Sequence, residues 1–351
     1  MARLQDICMR VLRWVLGAVF LFSGAVKCVD PVGTAIYVEK YMATYSLSEL
    51  APASEVIAVA LMVVEFAIGL LLILGVWRRG VALVSSVMLL GFTVVTLLSA
   101  TVLPIGDCGC FGDAVKLSPW QTFLKNLVLL PISIYIWRAN DKKCSLSKAD
   151  FVSVVVAIVL PLGISLYALS GMPLVDFLPY KVGTNLRERV IKERELVAKS
   201  TRTVLRFRNV ITGAIEEFDA MATECWVDEN LEFVESVNIV DVDAEMEYSD
   251  FVLYNVDGED VTTAVLNCDG RIALLCINDG KSINDSTNRA IEYLYSLYPA
   301  SAVYVVSATE VDVKLPSPHL LVDAMTLRSI IRSDVGIVVL RDGVVEYKDS
   351  I

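Results

Sequence analysis

Five apolar stretches precede residue 170, at about 11–29, 56–77, 81–104, 118–137 and 149–170. Each approaches the roughly 20 residues a helix needs to cross the hydrocarbon of a bilayer. No other feature restricts the fold as strongly, because lipid offers the backbone no hydrogen-bond partner and a spanning segment must coil into a helix. A mean hydropathy of +0.60 over the whole chain is too apolar for an ordinary soluble protein. Charge divides the chain at the same place. Residues 1–170 carry a net +3 and residues 171–351 a net −14. A field of that sign repels nucleic acid, so no DNA or RNA partner is expected. The acidic half reads as a soluble domain.

The basic residues orient the spans. Arg3, Arg10, Arg13, Arg78, Arg79, Arg138, Lys142, Lys143 and Lys148 fall on one side, and only Lys40 and Lys116 lie in the opposite loops 30–55 and 105–117. The positive-inside rule then puts the N-terminus in the cytoplasm and everything after residue 170 outside. The first stretch lacks a small-x-small cleavage site and reads as an uncleaved anchor. Cys28 follows Lys27, which is not the small residue a lipoprotein signal requires.

Between the third and fourth stretches lies the polar loop Gly106-Asp107-Cys108-Gly109-Cys110-Phe111-Gly112-Asp113. It faces the oxidising side, where disulfides persist. Glycine between two cysteines permits a tight turn, and a bridge across so small a ring is strained and exchangeable. Asp107 and Asp113 disfavour a thiolate, whereas Lys116 and the helix opening at Ser118-Pro119 favour one. Redox exchange, structural pairing and metal ligation all remain open for Cys108 and Cys110. Metal is the least supported, because His319 is the single histidine and no two CxxC pairs exist. Cys28 falls at a similar depth and is a candidate resolving thiol, or a small buried residue. Cys225, Cys268 and Cys276 are exported, Cys276 within core; Cys8 and Cys144 face the cytoplasm.

Intramembrane charges are functional candidates because they are costly. Glu65 and Lys125 fall within spans and are expected either to pair with each other or to form a quinone or proton site. Lys27 reads as an interfacial anchor that snorkels outward.

Beyond residue 170 the pattern turns to strands. A hairpin is expected over 203–218, and 220–250 is acidic and irregular. A strand is expected at 250–255, followed by the Asp257-Gly258 turn. Buried strands follow at 272–277 and 302–306 with a helix at 284–298 between them, then a helix at 325–332 and a hairpin around Asp342-Gly343. His319 is expected in a loop. The fold class is a membrane helical bundle followed by an α/β domain, divided as 1–170, a linker and hairpin region at 171–249, and 250–351.

The membrane half resembles the MauE branch of the DoxX-like bacterial membrane proteins. The likeness rests on Phe22-Ser23-Gly24-Ala25-Val26-Lys27 with Asp30-Pro31 and Gly33-Thr34, on Glu65 to Leu70 with Leu74-Gly75, and on Cys108 to Gly112 with Trp120-Gln121 and Lys125-Asn126. The last hundred residues look like a thioredoxin-like domain, carried by 323–347. That domain departs from its family, since no cysteine falls between Asn278 and Asp285 and Val335 stands where a cis-proline belongs. The thioredoxin-like part alone is therefore expected to be inactive.

The resemblance implies a bacterial inner-membrane protein in disulfide handling or maturation of exported proteins. It also implies an exported client or redox partner, and a quinone as the candidate cofactor. The alternative is a non-enzymatic scaffold whose thioredoxin-like strands dock a client.

Overall fold

The computed structural model describes residues 2–102, 108–139, 147–169, 171–240, 251–278, 285–310 and 315–351. Among the described residues, six α-helices build the N-terminal half: α1 (Ala2–Val29), α2 (Pro31–Thr44), α3 (Ser54–Leu74), α4 (Arg78–Thr101), α5 (Pro119–Ala139) and α6 (Lys148–Leu169). Four segments among the described residues are long and apolar enough to cross a membrane: Arg3–Val29, Ser48–Leu74, Arg78–Thr101 and Lys148–Leu169. The fourth apolar stretch, 118–137, forms α5, 21 residues long, whose Gln121, Lys125 and Asn126 lower its hydropathy. Ser118 and Gln121 close a capping box at its start, at 3.2 and 3.0 Å.

Bundle packing follows from side-chain size. Gly69 of α3 lies against the backbone of Leu21, so a Cβ there would collide with α1. Small residues of this kind let apolar helices touch where lipid removes the hydrophobic drive between them. Across the α4–α5 contact, Ser133 Oγ lies 2.6 Å from Ser85 Oγ and 2.8 Å from Ser86 Oγ. Leu16, Phe20, Leu72, Leu89, Leu129 and Ile136 fill the interior.

Loop 30–55 is not a plain loop. Asp30 accepts from Gly33 N at 2.9 Å and Pro31 occupies the first turn, which together start α2. A 3-10 turn at Ser48–Ala53 then leads into α3.

The second half is an α/β body with an added sheet. Strands β1 (Thr201–Asn209), β2 (Ile215–Asp219) and β3 (Leu231–Val240) form an antiparallel sheet in the order β2-β1-β3. The hairpin β1–β2 is the expected one. β3 lies in the stretch the sequence left irregular, where Glu232 and Glu235 and exposure on both faces hide any alternation.

The larger sheet runs β6 (His319–Leu321), β5 (Val303–Ser307), β4 (Arg271–Ile277), β7 (Val335–Arg341) and β8 (Val344–Ser350), with β4 central, parallel to β5 and antiparallel to β7. Its apolar strands bury both faces. Helix α9 (Asp285–Leu297) covers one face through Ile291 and Leu294. Helices α7 (Leu186–Ser200), α8 (Thr262–Leu266) and α10 (Ala324–Ile330) cover the other. Each buried Leu or Ile there contributes about 1.5–3 kcal/mol.

Three expectations need correction. The strand at 250–255 is only a bridge at Tyr254, with residue 250 outside the described residues. His319 belongs to edge strand β6 (His319–Leu321) and lies 2.6 Å from Ser307 Oγ. The stretch set apart as linker divides, because Tyr180, Leu186 and Val190 join the α/β core.

The two halves meet through α2. Arg332 donates to both carboxylate oxygens of Asp30, at 3.1 and 2.9 Å, with both side chains buried. Arg328 reaches Glu39 at 2.9 Å and Glu55 at 3.3 Å in a more exposed setting. Partly exposed pairs of that kind contribute little. Arg328→Ala should therefore cost about 1 kcal/mol or less in thermal unfolding of the detergent-solubilised chain, and a loss several times larger would show that the pair anchors the junction.

Candidate functional site

The loop expected to carry chemistry folds between α4 and α5 and is held from three sides. Gly106 and Asp107 lie outside the described residues; from Cys108 onward the path is defined. Cys108 N donates to Leu117 O at 3.3 Å and closes the loop on itself. Ser23 Oγ of α1 donates to Cys110 O at 2.6 Å. From α2, Tyr41 Oη reaches Cys108 O at 3.4 Å and Tyr37 Oη donates to Asp113 Oδ1 at 2.9 Å. Gly109 has φ 63°, and an added Cβ would come within 2.7 Å of the Tyr37 ring. Left-handed backbone and close ring contact both require glycine there.

This turn brings Cys108 Sγ and Cys110 Sγ to 3.3 Å, with both cysteines free thiols. They differ in acidity. A hydrogen bond from Cys110 brings the Cys108 thiol down to about 6, against the opposing effect of burial. Tyr41, Thr122 and the charge of Lys125 add to the lowering. Thr122 Oγ1 is buried with no other partner among the described residues. Cys110 is pushed well up by the same hydrogen bond and by burial, so it keeps its proton. One nucleophilic thiolate beside one protonated thiol is the arrangement thiol exchange needs.

The electrostatics differ from the expected ones in their source. Lys125, not Lys116, supplies the charge that favours the Cys108 thiolate. Asp113 is turned away to Tyr37, and burial raises its carboxyl.

Glu65 and Lys125 do not pair. Glu65 is held by Lys27, whose Nζ lies 2.7 Å from both carboxylate oxygens, and by Ser23 Oγ at 2.7 Å. Lys27 is 4% exposed and Glu65 1%, so Lys27 is no surface anchor. The reason is that α2 and the cysteine loop cover the end of α1, which removes the surface Lys27 was expected to reach. Lys125 instead sits over the Phe111 ring, 4.3 Å from its centroid.

Cys28 is buried with Ala35, Ala58 and Met62 in a packed apolar cluster. It does not line the space around Cys108 and Cys110. Cys225 lies in the core of the small sheet and Cys276 in that of the large one. Cys268 Sγ approaches Tyr304 Oη at 3.8 Å. Cys144 lies outside the described residues.

Two spaces flank the thiols. One, about 350 Å³, is lined by Tyr37, Tyr41, Phe92, Lys27, Cys108 and Cys110 among others, and its mouth carries exposed Leu47, Ile57 and Val95. The other, about 20 Å³, lies between Ser23, Glu65, Cys110, Lys125 and Asn126. Neither was visible in the sequence, because their walls come from segments far apart along the chain.

Residues 5–139 match the family described as methylamine utilisation protein MauE. Over 189 residues the chain is 28% identical to Protein TlpB of Flavobacterium psychrophilum, an alignment covering 50% of this chain and 45% of that protein. The chain thus spans less than half of that relative. No solved structure matches it.

Proposed function

We propose that this MauE-like membrane protein performs thiol–disulfide exchange at the end of its bundle, with Cys108 as attacking thiolate and Cys110 as resolving thiol. The observation that carries the reading is the 3.3 Å sulfur pair with one acidified member. In this reading the N-terminus is cytoplasmic, the membrane is the bacterial inner membrane, and the loop and α/β body act on exported proteins. The strand order β5-β4-β7-β8, with a helix joining the parallel pair, supports a thioredoxin-like domain. Its sequence has no cysteine from 278 to 285, so the domain positions a client and leaves the chemistry to Cys108 and Cys110.

Alkylation with a mass tag in cells, with and without reductant, tests the reading. Cys108 and Cys110 should be found partly oxidised, and Cys110→Ser should trap clients as mixed disulfides on Cys108. If the two are never oxidised, the protein is a scaffold, and Cys108→Ser/Cys110→Ser would still complement its loss.

The resemblance also implies a quinone, which would supply a membrane-soluble carrier of two electrons. The 20 Å³ space beside Glu65 is far too small for one. The 350 Å³ pocket has the size and apolar aromatic walls such a ring needs. Tyr37, Tyr41 and Phe92 would hold the ring and Lys27 would supply the polar contact.

A further inference from the structure

Disulfide closure releases one proton that the thiol pair cannot keep. Cys110 must lose it before attacking, and Cys108 is by then the sulfur under attack. The small space beside Cys110 bears on where it goes. A water needs roughly 10–15 Å³ of such space, and about 20 Å³ is present. Asn126 is 1% exposed, and its Nδ2 has no hydrogen-bond partner among the described residues. An unpaired buried donor costs about 1–3 kcal/mol, so Asn126 calls for an acceptor in this space. Ser23 has a single hydroxyl proton and two acceptors, Glu65 Oε2 at 2.7 Å and Cys110 O at 2.6 Å. When it turns to Cys110 O, Glu65 Oε2 gains a free lone pair. Among the described residues, the charged and titratable groups around Glu65 are Lys27 and Cys28 of α1, Lys125 of α5 and Cys110 of the loop.

The geometry points to a single water held by Asn126 that passes the Cys110 proton to Glu65 as the disulfide closes. This rests on the thiol-exchange reading above. The oxidant is a client disulfide. The Cys108 thiolate attacks one client sulfur, the client S–S bond breaks, and the departing sulfur leaves as a thiolate. Cys110 then gives its proton to the water, and the water gives one to Glu65. The Cys110 thiolate attacks Cys108, the bond to the client breaks, and a second client thiolate leaves. Two electrons have moved to the client, and Glu65 passes the proton on to solvent. Glu65 acts through the water rather than on sulfur, so it is a positioning residue for the proton.

The test uses the full chain, purified, reduced and mixed with oxidised glutathione as the probe, with acid quench and peptide-level mass readout. In the wild type, glutathione should appear briefly on Cys108 and be replaced by the closed bridge. In Glu65→Gln, capture at Cys108 should proceed at the wild-type rate while closure slows on the order of 10²-fold, the size of a lost proton acceptor. The glutathione adduct should accumulate, and raising pH should restore closure. Asn126→Leu keeps the Lys27–Glu65 pair and should give the same split, so it decides the matter if Glu65→Gln does not fold. Closure at the wild-type rate in Asn126→Leu, or capture and closure slowed together, overturns the relay. A wild-type protein that is never captured or never closes overturns the thiol-exchange reading itself, which is a distinguishable result.

Discussion

Alkylation of Cys108 in the reduced protein should rise with a midpoint near pH 6, and in Cys110→Ala it should still be climbing at pH 8. The largest cause of the lowered Cys108 value is the hydrogen bond from Cys110. Without it the thiol returns toward the ordinary cysteine range near 8.5. The sign is that of a depressed acid: the thiolate is present above about 6 and lost as pH falls through it. The midpoint is the quantity to measure, because a less basic thiolate is also a weaker nucleophile and the two effects partly cancel in the plateau rate. Cys108→Ser should abolish capture of any disulfide at every pH, and Cys110→Ser should leave capture intact but unresolved. If the Cys108 midpoint is unchanged in Cys110→Ala, the 3.3 Å contact does not set its acidity.

Glu65→Leu should destabilise the bundle by about 3–5 kcal/mol, the cost of leaving a buried charge without its partner. Lys27 would remain buried, with Ser23 Oγ at 3.2 Å as its remaining hydrogen-bond partner among the described residues. Lys27→Met should cost a similar amount by stranding Glu65. Lys27→Met combined with Glu65→Leu should recover most of the loss, because well-packed apolar side chains commonly replace a buried ion pair at little cost. Thermal unfolding in detergent reads all three. Additive single losses in the double variant would show that the two side chains do not act as a pair.

The parts of the fold written in long repetitive patterns were legible from residues alone. The apolar runs gave the bundle helices, and the continuous apolar strands 272–277 and 302–306 gave the centre of the α/β sheet. Short or mixed-polarity elements were not. Helix α2 has 14 residues with Glu39 and Lys40 among them, too short and too polar to read as a span. Its signal was Asp30-Pro31, the same cap-then-proline sign that marked α5 at Ser118-Pro119. The thiol loop was legible because its two cysteines adjoin in sequence. Its surroundings were not, since Ser23, Tyr41, Glu65 and Lys125 converge from four helices. Lys27 was misplaced by counting depth along α1 alone, which ignores what is folded over the end of that helix.

Helix α2 has a consequence for how force moves through the molecule. One end is fastened to the α/β body through Asp30 and Arg332, while Tyr37 and Tyr41 along its length rest on the thiol loop. At 1.5 Å per residue it is a rod of about 21 Å. A body pulled or tilted by whatever it grips turns that rod about its fastened end. Any such tilt would shift Tyr37 and Tyr41 against Asp113 and the Cys108 carbonyl, so α2 couples the α/β body mechanically to the loop that carries the two thiols.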